Sequence, residues 1–272
     1  MAERFDPPIP FRAPETRGRF KRVADRLRIG LNAGLDRAIP AIPESAGFAF
    51  VLGCGHSGTT LVASRLGNHP AIALIPEETN IFEPRRSLAR ARRALVAARA
   101  TARREGRQMV LEKTPKHVRV VGRLRRLLPE ARLIVVVRNP LDTCLSLRKR
   151  EGTLEDAIDR WCVDNGAALR LAGDPLVRFV HYEELTADPE PAFRGLVGFL
   201  GLAWDPAVLG TATGYGAVSQ RTANMRLRAE QVSRPIAANS GKWRTGLTPA
   251  EAAAVRVRTA ALYERLDRRL PE

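Results

Sequence analysis

Two short segments carry side chains suited to holding anionic groups. In Gly53-Cys-Gly-His-Ser-Gly-Thr-Thr60, two glycines are separated by four residues, the spacing of a phosphate-binding loop. A loop that grips a nucleoside triphosphate follows its second glycine with a lysine that reaches the β- and γ-phosphates. This chain has Thr59 there, which argues against ATPase or kinase chemistry. Ser57, Thr59 and Thr60 still offer hydroxyls to a phosphate, and a helix beginning at Thr59 would add its N–H groups and dipole. The second segment is Val136-Val-Arg-Asn-Pro-Leu-Asp-Thr-Cys-Leu-Ser146. An arginine at the end of a strand and a serine two helical turns later, on the side facing it, can converge on one phosphate, with the guanidinium binding it bidentately. Two separate anion pockets follow, one built on Gly53–Thr60 and one on Arg138 with Ser146.

Strands and helices must alternate to position these residues. Phe48–Leu52 is a short apolar strand running into the glycine loop, and Thr59–Leu66 reads as the helix after it. Further strands are expected at Ala71–Ile75, Met109–Leu111, Arg132–Val137 and Leu176–Val180. Helices are expected at Ser87–Arg104, His117–Leu128, Leu154–Leu171, from Asp188 to Leu200, and from Thr248 to Arg269. Asn139-Pro140 opens another, with Asn139 as N-cap and proline in the first turn. The fold class is therefore α/β, a P-loop-like three-layer domain whose mostly parallel central sheet is flanked by helices. Residues 1–46, proline-rich and then amphipathic from Arg17 to Ala38, read as an N-terminal arm ahead of one domain over 47–272. Residues 210–240 have little periodicity and several glycines, which suggests a flap.

Composition narrows the function classes. The net charge is +16, yet only five of the 45 basic residues are lysine, a bias of base composition rather than of nucleic-acid recognition. The charge is spread along the chain and no nucleic-acid-binding motif accompanies it, so no specific nucleic-acid partner is expected, only an attraction for anionic ligands. No apolar run reaches membrane-spanning length and no secretory signal is apparent. Three cysteines without metal-ligand spacing suggest a reducing cytoplasm.

The loop His56-Ser-Gly-Thr-Thr-Leu61 after a strand, together with Arg138 and Ser146, resembles the PAPS-dependent sulfotransferases, which transfer a sulfuryl group from 3′-phosphoadenosine-5′-phosphosulfate. The resemblance covers about residues 48–265. It implies that His56, Ser57, Gly58, Thr59 and Thr60 hold the 5′-phosphosulfate, and that Arg138 and Ser146 hold the 3′-phosphate, which ATP lacks. The family typically has Lys or Arg where this chain has His56. The segments around Tyr182, Glu230–Ile236 and Ser240-Gly-Lys-Trp243 resemble the adenosine side of such sites, making Tyr182, Ser240 and Lys242 donor-binding candidates. Pro76-Glu-Glu-Thr79 resembles the Glu-Glu-Thr segment of tyrosylprotein sulfotransferases, whose second glutamate is the base; Glu78 is thus the expected base and Glu77 the fallback. Lys113, in Leu-Glu-Lys-Thr-Pro, corresponds to a second catalytic cation beside His56. His117 is an alternative base, whereas His69 reads as structural. The implied cofactor is PAPS, with no metal required, because protein cations can neutralise the leaving phosphate. The implied partner is an acceptor of open class: peptide tyrosine, carbohydrate, lipid or small phenol. Assembly as a homodimer is open.

Overall fold

Arg132-Leu-Ile-Val-Val-Val137 and Phe48-Ala-Phe-Val-Leu-Gly53 are apolar at every step past the first residue or throughout, the pattern of strands covered on both faces. In the computed structural model, which describes residues 19–211, 236 and 239–267, they are adjacent strands of a five-stranded sheet, with Phe48–Gly53 at its centre. The strands are β1 (Phe48–Gly53), β2 (Ile72–Leu74), β3 (Met109–Lys113), β4 (Arg132–Val137) and β5 (Val177–His181). Their order is β2-β3-β1-β4-β5, and every pairing is parallel. Side chains alternate between the faces with period two. Phe48, Phe50 and Leu52 join Leu133, Val135 and Val137 in one apolar cluster, while Ala49 and Val51 join Ile134 and Val136 in another. Helices cover both clusters, which makes the domain three-layered.

The helices are α1 (Arg19–Leu35), α2 (Thr59–Leu66), α3 (Leu88–Arg104), α4 (Val121–Leu127), α5 (Pro140–Glu151), α6 (Leu154–Leu169), α7 (Tyr182–Ala187), α8 (Pro189–Phe199) and α9 (Pro249–Arg265), with a single helical turn at Trp243–Gly246. Asn139 caps α5 by accepting from the Asp142 N–H, and Thr248 with Glu251 forms a capping box on α9. Two expectations differ. The helix expected from His117 begins instead as a tighter 3₁₀ turn over Pro115–Val120, because His117 N bonds Thr114 O at 3.0 Å and the buried His117 ring is tied to Phe82 N. Asp188 stands ahead of α8, but its side chain makes no capping hydrogen bond. Most of the expected flap, 212–235, lies outside the described residues.

The C-terminal part of the N-terminal segment is bonded to the domain. Buried Asp36 accepts from Leu88 N at 3.2 Å and from Arg123 Nη2 at 2.6 Å, and Ile42 N donates to Leu127 O at 2.7 Å. The strand register sets the site. Gly53 pairs with Val136, Val51 with Lys113 and Val137 with His181, so Gly53, Lys113, Arg138 and Tyr182 all emerge at the carboxyl edge of the sheet. Open α/β sheets bind ligands at that edge.

Candidate active site

Between β1 and α2 the chain turns twice through the left-handed region at glycine. Gly53 has φ +137°, and a Cβ there would lie 2.4 Å from Val136 O. Gly58 has φ +93°, and a Cβ there would lie 2.4 Å from Tyr182 Cδ2. Neither position accommodates a side chain. His56, between them, takes φ +68° without that freedom, an unusual conformation for a non-glycine residue. The loop then delivers Thr59 and Thr60 into the first turn of α2, whose first N–H groups have no helical partners. Cys54 is buried below the loop, and burial, reinforced by Asp164, holds its thiol well above the ordinary range.

Arg138 leaves the end of β4 and reaches this loop. Its Nη1 donates to His56 O at 3.2 Å, its Nη2 donates to Asn239 O, and the guanidinium stacks 4.4 Å above the Tyr182 ring. Burial holds the Tyr182 phenol above its usual pKa, partly offset by Arg138. From α5, Ser146 Oγ lies 2.8 Å from His56 Nδ1. The two residues expected to share one phosphate therefore both touch His56, one at its carbonyl and one at its ring. Two buried polar atoms here have no hydrogen-bond partner among the described residues, Ser57 Oγ and Arg138 Nε. An unmatched buried hydroxyl or N–H is costly in a native fold.

Next to the loop, Lys113 Nζ at the end of β3 meets Glu78 Oε1 at 2.7 Å. Lys113 is 1% exposed and Glu78 26% exposed, so the carboxylate keeps an open side. Glu77 is exposed to solvent. His117 is buried against Glu112 and Phe82, and His69 is held by Ala71 N and Ala203 O, which leaves both in structural settings. Of the later candidates, Tyr182 joins the site, while the Ser240 and Lys242 side chains are exposed. Their segment is anchored by Asp142, which accepts from Gly241 N at 2.7 Å and Trp243 N at 3.1 Å. Sequence reasoning missed Asp142. Its signal was a carboxylate at the third helical position after Asn139, ready to serve backbone N–H groups beyond its own helix.

Residues 82–206, the stretch containing β3, Arg138, Ser146 and Tyr182, match the model of the sulfotransferase family. That match spans a little under half of the chain, and over that stretch the chain is similar to the sulfotransferase family. Its fold agrees. The sulfotransferase domain of the Synechococcus PCC 7002 olefin synthase superposes with a TM-score of 0.59 at 22% identity, covering 85% of this chain and 97% of that one. The sulfotransferase domain from the curacin biosynthetic pathway gives 0.57 at 17% identity, covering 86% and 99%. A sulfotransferase from Alicyclobacillus acidocaldarius gives 0.53 at 16%, covering 85% and 95%. No curated protein sequence matches the chain. No helix among the described residues is long and apolar enough to cross a membrane.

Proposed function

We propose that this sulfotransferase transfers the sulfuryl group of PAPS to a hydroxyl or amine of its acceptor by in-line displacement, with Glu78 as the base. The observation that carries this reading is the pair of unmatched buried polar atoms, Ser57 Oγ and Arg138 Nε, on two loops that Arg138 itself joins through His56 O. A donor with phosphate groups at both ends of one ribose offers an oxygen to each. PAPS supplies an activated sulfuryl group and departs as PAP. The N–H groups of Ser57–Thr60 and the Ser57, Thr59 and Thr60 hydroxyls would hold the 5′ end; Arg138 and Ser146 would hold the 3′-phosphate. Tyr182, Ser240 and Lys242 would line the nucleoside side.

The Glu78–Lys113 contact supports a division of labour. A carboxylate with one oxygen on a cation and an open side can take a proton from an acceptor oxygen, while Lys113 and His56 meet the negative charge that develops on the leaving phosphate. Lys113 is buried, so little water dilutes its field. The acceptor is a peptide tyrosine, a carbohydrate, a lipid or a small phenol, and three free cysteines fit a reducing, cytoplasmic setting.

Thermal-shift titration with PAP, ADP and ATP tests the donor: stabilisation by PAP well beyond ADP is expected, and a magnesium-dependent shift with ATP alone would return the site to phosphotransferase chemistry. Transfer of ³⁵S from labelled PAPS across an acceptor panel, followed by mass spectrometry, identifies the acceptor.

A further inference from the structure

The strand that delivers Lys113 carries a second charged residue to which the roles above give no task. Glu112 is fully buried, with 0% exposure. Its Oε1 accepts from Thr79 N at 3.2 Å, from Thr79 Oγ1 at 2.8 Å and from Thr114 Oγ1. Its Oε2 lies 3.3 Å from His117 Nδ1. Because His117 Nε2 accepts from Phe82 N at 3.4 Å, Nδ1 is the nitrogen that bears the proton. Burial pushes the Glu112 pKa up, but the His117 ring beside it and the hydroxyls of Thr114 and Thr79 outweigh it and hold the carboxyl below its ordinary range. A carboxylate this deep persists only where donors surround it.

Two of those donors, Thr79 and Thr114, lie next to the reaction centre in sequence. Thr79 follows Glu78, and Thr114 follows Lys113. Asn80 closes the junction, its N–H donating to Thr114 Oγ1 at 3.3 Å and its Nδ2 to Glu78 O at 3.1 Å. The loop carrying Glu78 has no strand pairing at this point, and Asn80 takes φ +50° within it. What fixes that loop on β3 is one carboxylate oxygen gripping a hydroxyl beside Glu78 and another beside Lys113. An apolar residue at 112 would fill the volume but leave the Thr79 N–H and both hydroxyls without their acceptor.

We propose that Glu112 is a positioning residue, which through Thr79 and Thr114 fixes the Glu78 carboxylate against Lys113 for proton removal. The inference rests on Glu78 being the base. Glutamine at 112 can reproduce the acceptor oxygen, but its NH₂ group then faces the His117 Nδ1–H, so two donors meet and the network cannot close.

The test uses the full chain as wild type, E112Q, T79V, E78Q and the E78Q/E112Q double variant. Crystal structures read the Glu78–Lys113 separation, PAP release from PAPS with water as acceptor reads turnover, and calorimetric titration with PAP reads donor binding. In E112Q the 2.7 Å contact should open beyond about 3.5 Å. PAP release should slow by about tenfold or more, while PAP affinity stays within about twofold. The double variant should be no slower than E78Q, since positioning a base that is gone has no effect. An intact contact in E112Q, parallel loss of PAP affinity, or slowing in the double variant equal to the product of the single effects would overturn the proposal. If E112Q does not fold, T79V removes one hydroxyl donor at constant shape; full-speed turnover with the contact intact overturns the proposal equally. The underlying reading fails separately: E78Q at wild-type speed means that Glu78 is not the base, whereas the crystal structures still report whether Glu112 holds it in place.

Discussion

Replacing Ser57 by alanine should raise the stability of the nucleotide-free protein and lower that of the nucleotide-bound one. The Ser57 hydroxyl is buried, and its oxygen has no partner among the described residues. A buried polar group left unmatched costs about 1–3 kcal/mol, of which the small void left by deletion returns part, so a net gain of roughly 1 kcal/mol is expected. For a chain of this size that corresponds to a Tm higher by about 2–4 °C. If the hydroxyl instead serves a bound phosphate, its loss removes a hydrogen bond to a charged group, about 1.5–3 kcal/mol, and weakens PAP roughly 10- to 150-fold. At PAP one hundred times the wild-type Kd, binding stabilises the wild type by about 2.7 kcal/mol. A variant bound about thirtyfold more weakly gains only ~0.9 kcal/mol from the same PAP, and ~1.9 kcal/mol once its intrinsic gain is added. The two melting curves therefore cross as PAP is added, which differential scanning fluorimetry across a PAP series reads directly. A variant less stable without PAP, with unchanged PAP affinity, would show that the hydroxyl serves the protein rather than a ligand.

Arg138→Ala should weaken PAP by roughly 10- to 100-fold yet affect adenosine 5′-phosphosulfate much less, because only PAP offers the 3′-phosphate; equal losses in calorimetry would remove that role. Gly58→Ala sets a Cβ 2.4 Å from Tyr182 Cδ2 at φ +93°, and should cost about 2–5 kcal/mol in urea unfolding; a loss under 1 kcal/mol is incompatible with this packing. His56→Arg replaces a ring that can lose its positive charge with a side chain that cannot, so any decline in turnover with rising pH that depends on this residue should flatten in the variant. An unaltered pH profile would assign the decline elsewhere. Glu112 has a folded pKa below its unfolded value of about 4.3, so its contribution is complete above that pH and is lost as pH falls through the folded pKa. Urea unfolding between about pH 5 and 3 should therefore show a shallower decline in E112Q than in the wild type, and parallel declines would contradict the assignment.

Local signals carried much of the fold. Strand β4 and helix α2 fall on their expected bounds, and the Asn139 cap with Pro140 starts α5 where those residues dictate. The backbone around the glycine loop and around Arg138 was legible for the same reason, since each is a strand, a turn and a helix start within a dozen residues. The rest depended on contacts distant in sequence. Nothing near Tyr182 reveals that its ring fills the space left by the absent Gly58 side chain and carries Arg138 on its face. Nothing near Glu112 reveals that Thr79, 33 residues earlier, will bond it. The unforeseen helix α7 starts at that same Tyr182. Strand order, which decides which loops meet, is a global property that local periodicity does not encode.

His56 links these two kinds of information. Its backbone carbonyl accepts from Arg138, and its ring meets Ser146, so one residue of the glycine loop touches both. A lysine or arginine at this position can only donate. An imidazole can do either, and a serine hydroxyl has a single proton to place. While Nδ1 is unprotonated it accepts that proton, and Ser146 has none to offer a phosphate. When the ring is imidazolium, Nδ1 donates to Ser146 Oγ, and the hydroxyl proton is released toward whatever anion lies beyond it. Negative charge brought to the loop favours the imidazolium form. Under the proposed donor assignment, filling the 5′ pocket would therefore prepare Ser146 as a donor in the 3′ pocket, and the histidine that departs from the family pattern would couple the two halves of the site.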